Sequence, residues 1–247
     1  MRIVKVPSSH GSTGPRKGCE LAPQQLCTGM KCDEIPVPED PKEADTVITQ
    51  RALELARDRP LFIGGDHSIT HSIFSAFSQE FDEPAMIVFD AHADIAPENG
   101  TIHEAMNREL VESGLIKGER LMIIGLRKAM PQEYSFIGMN GVNTISANDI
   151  RKDLRASMQS LGTFLGRNRD IYVSFDIDAF DPSIAPGTGT REREGMSEHE
   201  ASQMLGAIIG CNCLRGFDLV EINPNLDTSG KTLALGSRII EKLFAEW

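Results

Sequence analysis

The run Ala85-Met-Ile-Val-Phe-Asp-Ala-His-Ala-Asp94 changes character halfway along. Its first five residues are apolar, with no polar alternation, and read as a strand buried on both faces. Such strands belong to parallel sheets covered by helices on either side. Asp90, His92 and Asp94 then follow at a spacing of two. The same change recurs along the chain. Leu61–Ile63 runs into Gly64-Gly-Asp-His-Ser68, Ile171–Phe175 into Asp176-Ile-Asp-Ala-Phe-Asp-Pro182, and Phe217–Val220 into Glu221-Ile-Asn-Pro224.

Working outward, candidate strands are Arg2–Val6, Leu61–Ile63, Ala85–Phe89, Leu121–Gly125, Val142–Ile145, Ile171–Asp176 and Gly216–Glu221. Candidate helices are Pro41–Asp58, Ser68–Glu80, His103–Ser113, Asn148–Leu165, Ser197–Ile209 and Lys231–Phe244. Ser197-Glu-His-Glu200 has the spacing of a capping box. Strand–helix alternation over the whole chain predicts an α/β fold with a mainly parallel sheet and helices on both faces. No internal repeat and no Gly/Ser/Pro linker divides it, so residues 1–247 read as one domain. In such folds the site lies beyond the carboxyl ends of the strands. That is where the unusual polar residues collect.

Composition narrows the function classes. The chain has 247 residues, a formal charge of −11 and 40% hydrophobic residues, the profile of a globular chain with room for a core. It is acidic, which argues against a generic nucleic-acid partner. Its apolar runs are far shorter than the roughly 20 residues that span a bilayer, which argues against a membrane partner. Met1-Arg-Ile-Val-Lys-Val reads as a first strand and not a signal peptide. The five cysteines match neither a zinc ribbon nor a disulfide framework and read as reduced thiols. Together these point to the cytoplasm.

In extended chain, residues two apart face the same side. Asp90, His92 and Asp94, and likewise Asp176 and Asp178, can therefore aim into one pocket. Buried carboxylates repel unless cations compensate them. With His67 the set is four carboxylates and two imidazoles, enough for two divalent ions if some carboxylates bridge. An oxygen-rich site with one imidazole per ion favours Mn²⁺ or a similar ion over thiolate-seeking metals. His71, one helical turn after His67, reads as a helix-face residue, and His10 and His199 as surface positions.

Gly64-Gly-Asp-His-Ser68, Asp90-Ala-His-Ala-Asp94 and Ser174-Phe-Asp-Ile-Asp-Ala-Phe-Asp-Pro182 resemble the three signature motifs of the ureohydrolase family, which contains arginase and agmatinase. Gly14-Pro-Arg-Lys-Gly-Cys-Glu-Leu-Ala-Pro23, Pro186-Gly-Thr-Gly-Thr190 and Glu221-Ile-Asn-Pro224 are similar to its remaining segments, in the family's order and over nearly the whole chain. The resemblance implies a three-layer α/β/α domain with a mainly parallel sheet of about eight strands. It implies two Mn²⁺ per chain. His67, Asp90, Asp94 and Asp176 would hold the first ion and Asp90, His92, Asp176 and Asp178 the second, with Asp90 and Asp176 bridging.

It also implies roles. Glu221 would pair with the substrate guanidinium, Asp94 would accept a hydrogen bond from the nucleophile, and His103 would shuttle a proton to the leaving amine. The stretch Ile95-Ala-Pro-Glu-Asn-Gly-Thr-Ile102 and the run His103-Glu-Ala-Met-Asn-Arg108 look closer to agmatinase than to arginase, and Glu98 and Glu104 could attract a cationic tail. Arg127-Lys-Ala-Met130 lacks the acids that arginases carry there. The expected activity is release of urea from a small guanidino substrate such as agmatine. The alternatives are arginase or formimidoylglutamate-type hydrolysis on the same scaffold, or an inactive metal-binding homologue. Family members usually form trimers or hexamers, so a homo-oligomer is expected.

Overall fold

Val, Ile, Leu and Phe dominate the strands, where branched and aromatic side chains fit a packed, pleated surface. The computed structural model describes residues 1–12, 14–97 and 102–247, apart from the side chains of Pro15, Ile102 and His103. The strands are β1 (Arg2–Val6), β2 (Asp33–Glu34), β3 (Pro60–Gly64), β4 (Ala85–Phe89), β5 (Leu121–Leu126), β6 (Asn143–Ser146), β7 (Ile171–Asp176) and β8 (Leu214–Val220). They form one 8-stranded sheet in the order β2-β1-β3-β8-β7-β4-β5-β6. Every pairing is parallel. The four strands followed by polar clusters, β3, β8, β7 and β4, are therefore neighbours at the centre of the sheet.

The helices are α1 (Ala22–Leu26), α2 (Pro41–Leu55), α3 (Ile69–Glu80), α4 (Ile102–Glu112), α5 (Pro131–Asn140), α6 (Ala147–Lys152), α7 (Leu154–Arg167), α8 (Glu198–Gly210) and α9 (Lys231–Glu246). Alternate strand residues feed two separate cores. On one face Ile87, Phe89, Val173, Phe175 and Phe217 pack with Leu161 and Phe164 of α7, Leu205 of α8 and Ile239 of α9. On the other, Phe62, Met86, Val88 and Ile123 pack with Ile48 of α2, Phe74 and Phe77 of α3, Leu110 of α4 and Phe136 of α5. This is the expected three-layer α/β/α arrangement. Each fully buried Phe or Ile contributes about 1.5–3 kcal/mol relative to exposure, so both helical layers are held mainly by apolar burial.

Several differences from the sequence reading are local, among them the short helix α1. The helix expected over Asn148–Leu165 is two helices, because the Asp153 carboxylate accepts from Ala156 N at 3.0 Å and so caps a new start. Helix α5 was not anticipated; it begins at Pro131, leaves Tyr134 and Met139 exposed, and buries only Glu133 and Phe136. Its apolar stripe is too thin to register as a periodic signal. Strand β2 is two residues long.

The cysteine reading is also corrected. Cys211 and Cys213 form a disulfide, while Cys19, Cys27 and Cys32 are free. Asn212, at φ +55°, turns the chain so that the two Cα atoms lie 5.3 Å apart, within bridging reach. One support for a reducing compartment is thereby removed. Among the described residues no helix is long and apolar enough to cross a membrane.

Candidate metal centre

The loop after β3 passes close to the segment after β1. A Cβ at Gly65 would overlap the carbonyl oxygen of Ser8, so only glycine lets the chain through. Two residues on, His67 enters the pocket with its ring 1% exposed. Its Nδ1 lies 3.3 Å from Asp90 Oδ2, 3.1 Å from Asp94 Oδ2 and 3.4 Å from Asp176 Oδ2. His92 Nδ1 lies 3.3 Å from Asp90 Oδ1 and 2.9 Å from Asp178 Oδ2. Two groups of donors result, His67 with Asp90 and Asp176, and His92 with Asp90 and Asp178, each with its atoms within 4.8 Å of one another. Asp90 belongs to both.

Backbone donors hold the acids in place. His92 N donates to Asp90 Oδ1 at 2.6 Å, Asp178 N to Asp176 Oδ1 at 2.7 Å and Ala91 N to Asp178 Oδ1 at 3.0 Å. Glu221 stands beside the cluster and accepts from His67 N at 2.8 Å. Cys19 Sγ lies 3.6 Å from its other oxygen. Asp94 and Glu221 both adopt left-handed backbone, at φ +49° and +64°. Each such position costs on the order of 1–3 kcal/mol, and strain of this kind concentrates at functional sites. It is held by Asn107 N donating to Asp94 O at 2.9 Å and by Glu221 N donating to Gly65 O at 2.8 Å.

Without a compensating cation the charges are in conflict. Burial, reinforced by Asp90, pushes Asp94 up to about 7. Burial, with Asp178 and Asp90, holds Asp176 well above the usual carboxylate range. Burial and Asp66 push Glu221 up to about 8. Asp90 goes the other way: burial opposes its charge, but the attraction of His67 and His92 beside it outweighs burial and keeps the group below its ordinary value. For His92, burial is outweighed by Asp178 and Asp90, which push it up to about 12. Meanwhile His67 Nδ1, Asp90 Oδ2 and His92 Nε2 are buried with no hydrogen-bond partner among the described residues. Converging carboxylate oxygens and imidazole nitrogens that would have to hold protons to avoid mutual repulsion fit divalent cations of hard-to-borderline character.

These groups form the floor of a cavity of about 340 Å³, whose walls include Arg16, Glu104, Lys128, Met130, Glu133 and Thr188. The volume suits a small molecule. Arg16 pairs with Glu104 at 3.1 Å, and Lys128 with Glu192 at 3.3 Å. Glu133 accepts from Ile95 N at 3.2 Å and Met130 N at 2.7 Å, tying the loop after Asp94 to α5.

The structure thus brings together His67, Asp90, His92, Asp94, Asp176, Asp178 and Glu221. Residue 103 stands in the first turn of α4, but the side chain of His103 lies outside the described residues, as does Glu98. His71 is on α3, 4.0 Å from Glu109 and apart from both donor groups. His10 bonds the Pro38 carbonyl at 2.8 Å. Sequence reasoning missed Arg16, Lys128, Glu133 and Cys19. Arg16 and Cys19 lie in the quoted Gly-rich segment and were within reach of it; Glu133 depended on recognising α5.

The family model described as the Arginase family matches residues 1–245. The chain is 34% identical over 192 residues to a protein named agmatinase, mitochondrial, from Gallus gallus, covering 73% of this chain and 54% of that protein. It is 34% identical over 187 residues to guanidino acid hydrolase, mitochondrial, from Homo sapiens, covering 73% and 53%. The chain thus spans about half the length of these two relatives. Among solved structures, arginase from Bacillus subtilis superposes with a TM-score of 0.89 at 23% identity, over 100% of this chain and 99% of that one, a likeness of fold.

Proposed function

The chain belongs to the arginase family, and on that premise we propose that it is a binuclear manganese hydrolase that cleaves the guanidino group of a small compound such as agmatine to urea and an amine. The observation that carries this reading is the convergence of five donor residues from the ends of β3, β4 and β7 on two overlapping groups, with Asp94 against His67 and Glu221, from the intervening strand β8, beside them. We take residues 1–247 as one catalytic domain, acting in the cytoplasm as a homo-oligomer, a trimer or a hexamer.

His67, Asp90, Asp94 and Asp176 would hold one ion and Asp90, His92, Asp176 and Asp178 the other. Two divalent charges offset the four carboxylates that otherwise repel one another. Bound there, the pair would lower the pKa of water so that a nucleophile exists near neutral pH. The chain's own groups do the rest. Glu221, oriented by the His67 amide, offers a planar carboxylate to the planar guanidinium fork. Asp94, held in its left-handed conformation, accepts a hydrogen bond from the attacking water. A guanidine carbon expels an amine only if the nitrogen leaves protonated, and His103 carries that proton.

One observation favours a second substrate type. Arg16 and Lys128 place two cationic groups in the cavity wall. Each is paired with a glutamate, Glu104 or Glu192, so a guanidino compound with a carboxylate tail would bind there by taking that glutamate's place.

The test is urea release by Mn²⁺-loaded protein across agmatine, arginine, guanidinobutyrate and guanidine. Turnover best with agmatine supports the first reading, and turnover best with guanidinobutyrate the second. Ammonia or formamide from a formimino compound, with no urea from any guanidine, would replace both. No turnover of any of these by fully loaded protein would leave an inactive homologue.

A further inference from the structure

Behind the donors that face the cavity lies another carboxylate, which the proposed chemistry leaves unused. Asp218 sits in the middle of β8 and is 0% exposed. It stands directly opposite Ser174 of β7 in the strand register. Three hydroxyls converge on it: Tyr172 at 2.6 Å, Ser174 at 2.7 Å and Thr70 of α3 at 3.0 Å. An acid in the centre of a sheet is costly unless its oxygens are satisfied. Here both oxygens are, provided each hydroxyl turns its proton toward them.

That condition sets a direction. Ser174 has one proton. Donated to Asp218 Oδ1, it leaves Oγ able only to accept; Thr70 Oγ1, 3.2 Å away, spends its own proton on Asp218 Oδ2, so the donor left to Oγ is His67 Nε2 at 2.9 Å. Nε2 must then carry hydrogen, and Nδ1 is the nitrogen left to present a lone pair. Nδ1 is the atom that faces Asp90, Asp94 and Asp176.

We infer that Asp218, acting through Ser174, is a positioning residue that locks the His67 ring with Nε2–H inward and Nδ1 aimed at the ion it shares with Asp90, Asp94 and Asp176. This inference rests on the metal-centre reading above. An asparagine at 218 has nearly the same shape but can donate. It permits Ser174 to turn its own proton toward Nε2, which puts a hydrogen on Nδ1 where the ion belongs. Outer partners of metal-bound histidines typically change metal affinity by about 10–100-fold. His92 has no part in this relay: its Nε2 has no hydrogen-bond partner among the described residues and faces Glu192 at 4.0 Å. The effect is therefore confined to one of the two ions.

The experiment is Mn²⁺ titration of wild-type, Asp218→Asn and Ser174→Ala proteins, followed by calorimetry and by electron paramagnetic resonance. Leu161→Ala, a core truncation on the opposite sheet face, controls for plain destabilisation. Wild-type protein should bind two ions and give an exchange-coupled spectrum. Asp218→Asn should keep one ion at near wild-type affinity, weaken the other about 10–100-fold, and give a mononuclear spectrum where wild type gives a coupled one. Ser174→Ala should do the same, which keeps the test open if the asparagine variant fails to fold. Leu161→Ala should lower the melting temperature without splitting the two affinities. Two ions bound with wild-type affinities in Asp218→Asn or Ser174→Ala would overturn the relay. So would equal weakening of both ions. Wild-type protein that binds no pair of ions would overturn the metal-centre reading itself, and the relay with it.

Discussion

Stripping metal from the protein and raising the pH from 6.5 to 8 will lower its melting temperature, and restoring metal will abolish that fall. The metal-free pocket holds protons that the unfolded chain does not. Asp94 and Asp178 repel Asp90 in a buried site, and Asp94 rises to about 7 as a result of burial and that repulsion. Glu221 rises to about 8 and His92 to about 12. All three values lie above those of the unfolded chain. Through this window the folded state therefore binds more protons, and stability falls as pH rises. Asp90, held low, is unprotonated in both states here and contributes nothing to the slope. Averaged over the window, these three groups hold roughly two excess protons, a lower bound because Asp176 and His67 are also held above their ordinary values. At about 1.4 kcal/mol per proton per pH unit, that is on the order of 4 kcal/mol. For a chain of this size each kcal/mol moves the melting point by about 2–4 °C, so the expected fall is at least about 10 °C. Metal ligation needs the same groups deprotonated, so loaded protein should hold or gain stability over the window. Thermal unfolding followed by circular dichroism, on matched chelated and Mn²⁺-loaded samples, reads both slopes. A chelated sample whose melting point stays level or rises from pH 6.5 to 8 would refute the account.

Other expectations follow from single residues. Asp176→Ala should remove both ions, since this carboxylate would bridge them; metal analysis after gel filtration would find less than one ion per chain. His103→Ala should keep both ions and lose about 10²–10⁴-fold in kcat, the range for a missing general acid; a variant with full activity would reject the shuttle role. Gly65→Ala drives a methyl into the Ser8 carbonyl, and should cost at least about 1–3 kcal/mol in chemical denaturation, as overpacking does.

The layers of the fold were legible because buried parallel strands are unbroken apolar runs and the helices between them carry 3.6-residue periodicity. The expected bounds Arg2–Val6, Ala85–Phe89 and Ile171–Asp176 match the strands observed. The donor set was legible for a similar reason: Asp90, His92 and Asp94 break an apolar run abruptly, and nothing in a sheet core explains acids at that spacing. What escaped had no local signature. Asp153 looks like any helical acid until its carboxylate is seen capping α7. Glu133 belongs to a helix with one buried aromatic and a mostly exposed surface. Asp218 is a lone acid in the strand Leu214–Val220, and its meaning depends on Ser174 standing opposite it, 44 residues earlier in the chain. Pairing between strands decides such contacts, and no short window of sequence contains it.

The place of β8 in the sheet has a consequence for how the protein is made. It is the last strand in the sequence, yet it lies between β3 and β7. Until residue 220 has been synthesised, those two strands face each other across an empty slot, each with an unpaired edge. A nascent chain carrying His67, Asp90 and His92 therefore has neither a closed sheet nor Glu221 to complete the pocket. Assembly must wait for a late, long-range insertion, the kind of step that folds slowly and exposes sticky edges meanwhile. Premature termination between β7 and β8 should give two incomplete half-sheets prone to aggregation, and not a smaller protein with partial activity.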